Sequence, residues 1–345
     1  MRVRSVVRAL GGAAAAAIAT ASALVAPAGA QTTLGGQRVG TSSGDFLKIG
    51  MGAKAAAMGE AFIAIADDPS TLYWNPAGLA LISDRAFLVS HTAWFTDVNI
   101  EYLAVAVPVD QLAGGVVGMQ VGGLSTDLDE TTELEPDGTG RSFSYSDLVI
   151  GLGYARYFTD KFAFGTNVKL FREDLGSEVG GGVVTSWLAD VGTVYHIGFR
   201  ETNFAVVITN FGPDLDPSEG YPRVTRTSGF ARSQDTGFIG FAPPTAFKIG
   251  LASTLYQTED LKGVGTLEMN RPGDNAETLK LGTEFIVRDR LALRVGYNTN
   301  ADELKFSGGA GFRIVRGQQY GQVDYAFTQS DNFGRVDRIA LTVGF

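Results

Sequence analysis

The amino-acid sequence predicts an all-β protein: an antiparallel transmembrane β-barrel of about 14 strands with an N-terminal hatch in its lumen. Three observations support this fold class. From residue 86 onward, apolar residues alternate with small or polar residues, which is the periodicity of a strand with two different faces. Most of these segments reach about ten residues, the length a tilted strand needs to cross a bilayer. The connections are alternately short and long, as in outer-membrane barrels.

The composition limits the possible functions. The 345 residues include 45 Gly and 22 Phe but no Cys, so disulfides, CxxC redox motifs and thiolate zinc sites are excluded. Charged residues make up 19% of the chain, below the usual ~25%. One large β domain can hold the whole remainder, because all-β barrels often exceed the usual domain length.

Residues 1–30 have the pattern of a signal peptide. Arg2, Arg4 and Arg8 precede an Ala-rich apolar stretch, and a small-residue cleavage pattern follows at 28–30. The alternative is a retained anchor helix. Cleavage would leave 25 basic and 37 acidic residues, a net charge of −12 in place of −9. An exported acidic chain is a poor binder of nucleic acid.

Residues 31–85 form the predicted hatch. Met51, Ala55, Met58, Phe62 and Ile65 have helical spacing, although Gly52 and Gly59 weaken a long helix. Asp68-Pro69 is typical of an N-cap and first helical position, with a short helix to Trp74. Pro76 should hold Asn75 in an extended conformation. In a barrel of about eight strands, the side chains of the wall can fill the lumen. A barrel of about 14 strands is wider, so its lumen either contains a plug or forms a channel.

Residues 86–345 form the predicted barrel. In "KFAFGTNVKLF", for example, Phe162, Phe164 and Val168 share one face and are expected to meet lipid. A soluble sandwich or propeller is the alternative. The predicted long loops are 124–141, 173–182 and 212–243. The predicted strands are 86–95, 99–109, 112–123, 142–158, 160–172, 183–198, 201–211, 244–256, 261–271, 276–287, 290–299, 303–315, 319–329 and 334–345.

Charged residues of both signs fall on the face expected to line the lumen. We interpret them as a network that fastens the hatch to the wall; a selectivity lining is the alternative. They are Lys161, Lys169, Lys248, Lys280, Glu284, Arg294, Arg313 and Arg338.

No catalytic, cofactor or metal site is expected. The loop 124–140 is rich in Asp and Glu, but Thr132 stands where a calcium loop starting at Asp127 needs Gly. A solvated acidic loop is the interpretation, with divalent bridging to lipopolysaccharide as the alternative. His91 and His196 are the only two histidines, and spacing cannot show the geometry of a Ser-His-acid site.

The last strand has apolar residues at alternate positions and ends on an aromatic residue. This pattern resembles the C-terminal signal that the barrel-assembly machinery recognises, although any buried terminal strand could end in Phe. The residues concerned are Ile339, Leu341, Val343 and Phe345.

The segment "GMGAKAAAMGEAFIAIADDPSTLYWNPAGLA" resembles the N-terminal signature of the PorV/PorQ family, within the FadL-like outer-membrane barrels. Its Asn-Pro-Ala element also occurs in the hatch of FadL-type fatty-acid channels. Glu60 departs from the family, which often has a small residue there. The matching hatch residues are Gly52, Ala53, Met58, Gly59, Asp67, Asp68, Trp74, Asn75, Pro76, Ala77 and Gly78.

The resemblance implies a non-enzymatic outer-membrane protein that acts as an accessory or shuttle in type IX protein secretion and surface attachment. The alternative is a FadL-like channel for uptake of hydrophobic small molecules; a lipid hydrolase is the third hypothesis. Expected partners are outer-membrane lipid and lipopolysaccharide, the barrel-assembly machinery, secretion-system components and exported cargo.

Overall fold

The computed structural model describes residues 38–345 apart from 110, 112–113, 132–134, 219 and 228–229, and gives only the backbone of 97 and 221–236. The predicted signal peptide and the first hatch residues therefore lie outside the described residues. Within the described part of the chain, no helix is long and apolar enough to cross a membrane.

Fourteen antiparallel strands form a closed barrel, which confirms the predicted fold class. Closure comes from the first strand, which pairs with both the second strand and the last one. The described residues contain sixteen strands, of which all but β8 and β9 belong to the barrel. They are β1 Ala86–Ala93, β2 Asn99–Val109, β3 Gly115–Asp129, β4 Ser142–Thr159, β5 Phe162–Asp174, β6 Val183–His196, β7 Asn203–Phe211, β8 Gly220–Thr227, β9 Phe230–Gly237, β10 Ala246–Gln257, β11 Leu261–Pro272, β12 Thr278–Val287, β13 Leu291–Thr299, β14 Leu304–Arg316, β15 Gln319–Ser330 and β16 Arg335–Gly344.

The two faces of the wall differ as the alternation predicts. On β13, Leu291, Leu293 and Val295 are exposed outside, whereas Ala292 and Arg294 are buried inside. The same alternation of exposed apolar and buried small or polar residues follows β5 and β16. An apolar outer surface around a filled polar interior is the arrangement of a barrel placed in lipid.

The connections divide the barrel into two ends. The turn end carries short connections such as 160–161 and 317–318, and the loop end carries the longer 130–141, 175–182 and 212–245. One predicted loop boundary is wrong. β3 continues to Asp129 instead of ending at residue 123, because it pairs with the long β4 as far as Ser142.

A second difference lies in the loop after β7. β8 and β9 form a separate two-stranded sheet within the predicted loop 212–243. The sequence did not predict these strands. Pro222 argues against a strand, and the polar residues around it show no alternation.

The hatch has only short helical segments. The expected helix through Ile65 is wrong beyond Ala57, because Gly59 and Glu60 both have positive φ, 65° and 62°. Asn75 is extended at φ −156°, as Pro76 predicts. The α-helices are Ala53–Ala57 and Thr71–Trp74, and Asp45–Lys48 and Pro76–Leu81 are 3₁₀ segments.

The hatch runs through the lumen from the loop end to the turn end. Near its start, Ser42 bonds Asp274 in the connection after β11, and Ser43 bonds Glu173 near the end of β5. After Ile82 the chain enters β1 at the opposite end. The lumen is therefore occupied along its length by residues that precede the wall in sequence.

Candidate functional site

The hatch touches the wall where glycines face each other on neighbouring strands. Gly118 pairs with Gly153, Gly165 with Gly192, and Gly282 with Gly296. A Cβ on Gly165 would lie 2.4 Å from the carbonyl carbon of Pro76, and one on Gly296 would lie 1.8 Å from the nitrogen of Gly59. At Gly165 and Gly296, glycine is needed because hatch backbone occupies the space of a side chain, whereas at Gly118 and Gly153 the side chains of Leu72 and Leu79 occupy it.

The hatch residues identified from the sequence lie together inside the barrel. Asp67 is the one among them that is exposed, and its carboxylate pairs with Lys54 at 2.6 Å. Asp68 accepts hydrogen bonds from the amide and hydroxyl of Ser70, but the helix begins at Thr71 with Ser70 as its N-cap, so the predicted N-cap at Asp68 is wrong. The others are buried: Gly52, Ala53, Met58, Gly59, Asp68, Trp74, Asn75, Pro76, Ala77 and Gly78.

Asn75 ties the two halves of the hatch to the wall. Its Nδ2 donates to the carbonyl of Ile63 at 2.8 Å and to that of Thr193 on β6 at 3.3 Å. Its Oδ1 accepts from the amide of Ala77 at 3.0 Å. One fully buried side chain therefore fixes the turn after Trp74, the segment at Ile63 and a wall strand.

Trp74 fills the centre of the hatch. Its Nε1 donates to the carbonyl of Met51 at 2.8 Å. Its ring makes edge contacts with Phe62 and Tyr73, at centroid distances of 6.2 and 4.9 Å. The indole thus connects three parts of the hatch that are distant in sequence.

Glu268 on β11 holds the segment that was expected to be helical. One carboxylate oxygen, Oε2, accepts from the amides of Phe62 and Ile63 at 3.0 and 3.3 Å. The other oxygen, Oε1, is buried and has no hydrogen-bond partner within the described structure. Alternation along β11 places Glu268 on the inner face, but its backbone partners have no sequence signal.

Two of the eight charged positions in the predicted lumen network contact the hatch: Lys280 through an ion pair, and Lys248 through the rings of Tyr73 and Trp74. Lys280 bonds Glu60 of the hatch at 2.9 Å. Lys169 pairs with Asp190, and Arg294 with Glu284 and Asp324, so these charges join wall strands to each other. Two of the eight, Lys161 and Arg313, are exposed instead of lining the lumen.

Two cavities border the hatch. The turn-side cavity has a volume of about 440 Å³ and is lined by Lys54, Ile65 and Leu81 of the hatch. The loop-side cavity has a volume of about 210 Å³ and is lined by Glu60, Tyr73 and Trp74 of the hatch. Strands β10–β12 line both cavities, with Ala252, Val264 and Glu284 at the turn side and Lys248, Asn270 and Lys280 at the loop side.

Along β10–β12, the two cavities are separated by the part of the hatch between Glu60, which lines the loop-side cavity, and Ile65, which lines the turn-side cavity. Lys248 and Ala252 on β10 are four residues apart, which is roughly 13 Å of strand. Between them, Gly250 faces Ile63 and Ala64; a Cβ there would lie 2.6 Å from Ile63 Cγ1 and 3.6 Å from Ala64 Cβ. We name residues 61–64 the barrier segment.

Comparison with known proteins gives the family and the fold. A family model described as uncharacterised protein family UPF0164 matches residues 16–199, just over half of the chain. This chain belongs to that family. No curated protein matches its sequence.

Solved structures resemble the UPF0164 chain over most of its length. It is 13% identical to the Ralstonia pickettii toluene transporter TbuX, with a TM-score of 0.52 and coverage of 85% of this chain and 97% of TbuX. For the Pseudomonas putida toluene transporter TodX the identity is 15%, the TM-score 0.51 and the coverage 85% and 97%. For a Pseudomonas aeruginosa FadL homologue the values are 11%, 0.52, 86% and 98%. At these identities the likeness shows a shared FadL-like barrel fold.

Neither histidine of the UPF0164 chain lies in a Ser-His-acid arrangement within the described residues. His91 contacts Glu101 at 2.6 Å on the outer face. His196 contacts the Tyr157 hydroxyl at 2.7 Å and Asn203 at 2.5 Å. Asp190 lies six residues from His196 along β6, roughly 20 Å away.

Carboxylates in the acidic loop and in the connection after β11 form hydrogen bonds with nearby residues. Hydrogen bonds from Thr139 and Arg141 hold the pKa of Glu130 below its usual value. Asp274 is partly buried, which raises its pKa, but bonds from Lys48 and Ser42 outweigh burial and lower it. Among the described residues, no group of three potential metal ligands is present.

The residues of the predicted assembly signal lie on the outer face of β16. Ile339, Leu341 and Phe345 are exposed and Val343 is half-buried. The amide of Phe345 donates to the carbonyl of Arg85 at 2.8 Å, next to the start of β1. Recognition of these residues by the barrel-assembly machinery stays a prediction.

Proposed function

We propose that this chain is a non-enzymatic outer-membrane channel for small hydrophobic molecules, closed at rest by its hatch. The observation that carries the proposal is the pair of cavities on β10–β12, separated by the barrier segment. The similar solved structures include toluene transporters and monoaromatic hydrocarbon channels. A small displacement of residues 61–64 would join the two cavities into one path along the wall.

The contacts of the barrier segment suit such a displacement. It is held by hydrogen bonds from its amides to Glu268 and by bonds from Asn75 to the carbonyl of Ile63 and from Asn203 to the carbonyl of Ala64. A net hydrogen bond contributes about 1 kcal/mol, or about 1.5–3 kcal/mol when one partner is charged. These bonds keep the barrier closed. Breaking them to open it costs free energy, which the binding of a solute can offset.

The proposal includes the membrane and the partners expected from the sequence. Apolar side chains such as Leu152 and Trp187 cover the outer face, with exposures of 61% and 63%. That surface suits outer-membrane lipid, with lipopolysaccharide around the loop end. The barrel-assembly machinery would insert the chain, and the turn end would then face the periplasm.

A disulfide between the barrier segment and the wall tests the channel. The sequence has no Cys, so Ala64→Cys with Gly250→Cys introduces one defined pair. The expected Cβ–Cβ distance of 3.6 Å lies within the disulfide range. Cells that express this variant and lack other such channels are assayed for uptake of labelled toluene, oxidised and after reduction.

We expect oxidation to abolish uptake and reduction to restore it. The reduced variant is the folding control, because Ile63 must shift slightly to admit a side chain at residue 250. The Ala64→Cys single variant should be insensitive to oxidant. Equal uptake by the oxidised and reduced double variant would refute a path through the barrier segment.

A second candidate is the accessory role in type IX secretion that the resemblance of the hatch to PorV/PorQ implies. One structural feature favours it: the β8–β9 hairpin stands apart from the barrel sheet at the loop end. The segment that connects β9 to β10 pairs with the hatch through an isolated β-bridge between Ser42 and Ala242. Exposed loops on a rigid scaffold commonly carry recognition.

Replacing residues 220–237 with a short Gly-Ser linker separates the two candidates. Surface display of exported proteins should fall if the hairpin binds secretion components or cargo, while toluene uptake stays unchanged. Intact display together with normal barrel assembly would argue against the secretion role.

A further inference from the structure

The loop-side cavity contains a buried lysine, Lys248, that forms no salt bridge within the described residues, although Glu268 and Glu60 act on it electrostatically from farther away. Lys248 is 8% exposed, and its Nζ lies 5.5 Å from the ring centre of Trp74 and 5.9 Å from that of Tyr73. The other two lysines at this cavity have carboxylate partners, Glu60 for Lys280 and Asp274 for Lys48. No such ion pair is found for Lys248 among the described residues. Buried charges normally have a partner.

Three further polar atoms at the same cavity are buried without a hydrogen-bond partner in the described structure. They are Oδ1 of Asn270, Oγ1 of Thr278 and Oδ1 of Asn298. Buried polar side chains in native proteins are nearly always hydrogen-bonded, to protein, water or ligand. Together with Lys248, they form a set of unused polar groups on one wall of the cavity, on the four neighbouring strands β10–β13.

We propose that the loop-side cavity binds a small hydroxylated carboxylate. The carboxylate would pair with the ammonium of Lys248, and hydroxyl groups would bond Asn270, Thr278 and Asn298. A hydroxyl both donates and accepts, so it suits an Asn side chain in either amide orientation. The cavity of about 210 Å³ is smaller than the ~300–1,000 Å³ typical of drug-sized ligands, which favours a small molecule.

The site is independent of the proposed passage of hydrophobic molecules. A purely apolar solute would leave the ammonium and the three polar atoms unpartnered, and a simple fatty acid would satisfy the ammonium alone. Binding in this cavity does not require the barrier segment to move, because the cavity lies on the loop side of it.

Three six-carbon probes test the chemistry on the purified full-length protein in detergent. Gluconate has a carboxylate and hydroxyls, sorbitol has hydroxyls only, and hexanoate has a carboxylate only. Binding is measured by titration calorimetry. It is also followed by tryptophan fluorescence in a Trp94→Phe, Trp187→Phe background, so that Trp74 at the cavity is the reporter. Gluconate should bind at least about tenfold more tightly than either comparator, because each lacks one class of bond.

Two variants locate the site. Lys248→Met keeps the apolar stem and should weaken gluconate binding about tenfold or more, since it removes the charged partner. Lys262→Met removes a lysine that lines the turn-side cavity and should leave gluconate affinity unchanged. Lys248→Arg retains the charge and should retain most of the affinity, which covers the case in which the Met variant fails to fold.

Several results would overturn the proposal. If gluconate produces neither heat nor a Trp74 signal, the unused polar groups are satisfied by water only. If hexanoate binds as tightly as gluconate, the cavity recognises a carboxylate without the hydroxyls. If well-folded Lys248→Met binds gluconate normally, the site lies elsewhere. None of these results depends on transport, so they leave the disulfide test of the channel unaffected.

Discussion

The hatch meets the wall in two different ways. At β5–β6, the backbone of residues 76–77 lies directly on Gly165, and Asn75 fills the space above Gly192. At β10–β11, the barrier segment meets Gly250 with the side chains of Ile63 and Ala64, and hydrogen bonds with Glu268, Asn75 and Asn203 hold its backbone. Backbone atoms cannot make room without a movement of the chain, whereas side-chain atoms can make room by a change of rotamer. We therefore infer that the first contact anchors the hatch and the second can release.

The space around the two contacts agrees with this division. The barrier segment lies between cavities of about 440 and 210 Å³. Asn75 and Ala77 of the anchor are completely buried against the wall. A close-packed region transmits strain and resists displacement, whereas the barrier segment has a cavity beyond Glu60 on one side and beyond Ile65 on the other.

Gly165→Ala should have the largest effect, because it attacks the anchor. The added methyl would lie 2.4–2.5 Å from backbone atoms of Pro76 and Ala77, and neither can rotate away. Overpacking of this kind costs typically 1–3 kcal/mol, so we expect a loss of about 3 kcal/mol in the free energy of hatch docking. Urea titration followed by Trp74 fluorescence, with Trp94 and Trp187 replaced by Phe, measures it. A midpoint equal to that of the parent would contradict the anchor.

Asn75→Ala should come next, because Asn75 connects the anchor with the barrier. The change removes the cap of Ala77 and leaves the buried carbonyl of Ile63 without its donor. We expect a loss of about 2 kcal/mol and faster proteolysis within the hatch. Asn203→Ala is a suitable control, because it removes one bond to the hatch, at the neighbouring carbonyl of Ala64, together with a contact to His196 on the wall, and it should cost less. Equal losses in the two variants would show that Asn75 has no special linking role.

The sequence predicts the wall better than it predicts the hatch. Alternation in segments such as β13 depends on which side meets lipid, so each strand contains its own signal. The path of the hatch depends on contacts between distant residues, such as Phe62 with Glu268, which are 206 positions apart. No local pattern records such a pair. The sequence also suggested one helix across Gly59, where the packing of backbone against Gly296 requires a left-handed turn.

The glycines of the wall were visible in the sequence, but their role was not. An inward glycine predicts a small lumen residue and nothing more. Gly165 and Gly250 have the same place in the alternation, yet one meets backbone and the other a side chain. Only the path of the hatch distinguishes them, and this is the reason that the anchor and the barrier could not be separated from sequence.

Glu268→Leu should loosen the barrier without disturbing the anchor. It leaves the amides of Phe62 and Ile63 without their acceptor, a loss of about 1.5 kcal/mol for hydrogen bonds to a charged group. Toluene uptake should rise, because the closed state is less favoured. Glu268→Gln keeps an acceptor oxygen at the same place and should change both quantities less. If the Leu variant takes up toluene at the parental rate, Glu268 does not hold the barrier.

Gly250→Ala should have the smallest effect, and its value lies in the contrast with Gly165→Ala. Both variants add one methyl to an inward glycine in the middle of a strand. At residue 250 the nearest atom is Cγ1 of Ile63 at 2.6 Å, a side-chain atom that a change of rotamer can displace without moving the backbone. The substitution also lowers the entropy of the unfolded chain, by about 0.4–1 kcal/mol in favour of folding. The net change measured by the Trp74 titration should therefore be below about 1 kcal/mol. A loss as large as that of Gly165→Ala would mean that residues 61–64 are packed as rigidly as the anchor, and the barrier would then have to open elsewhere along the wall.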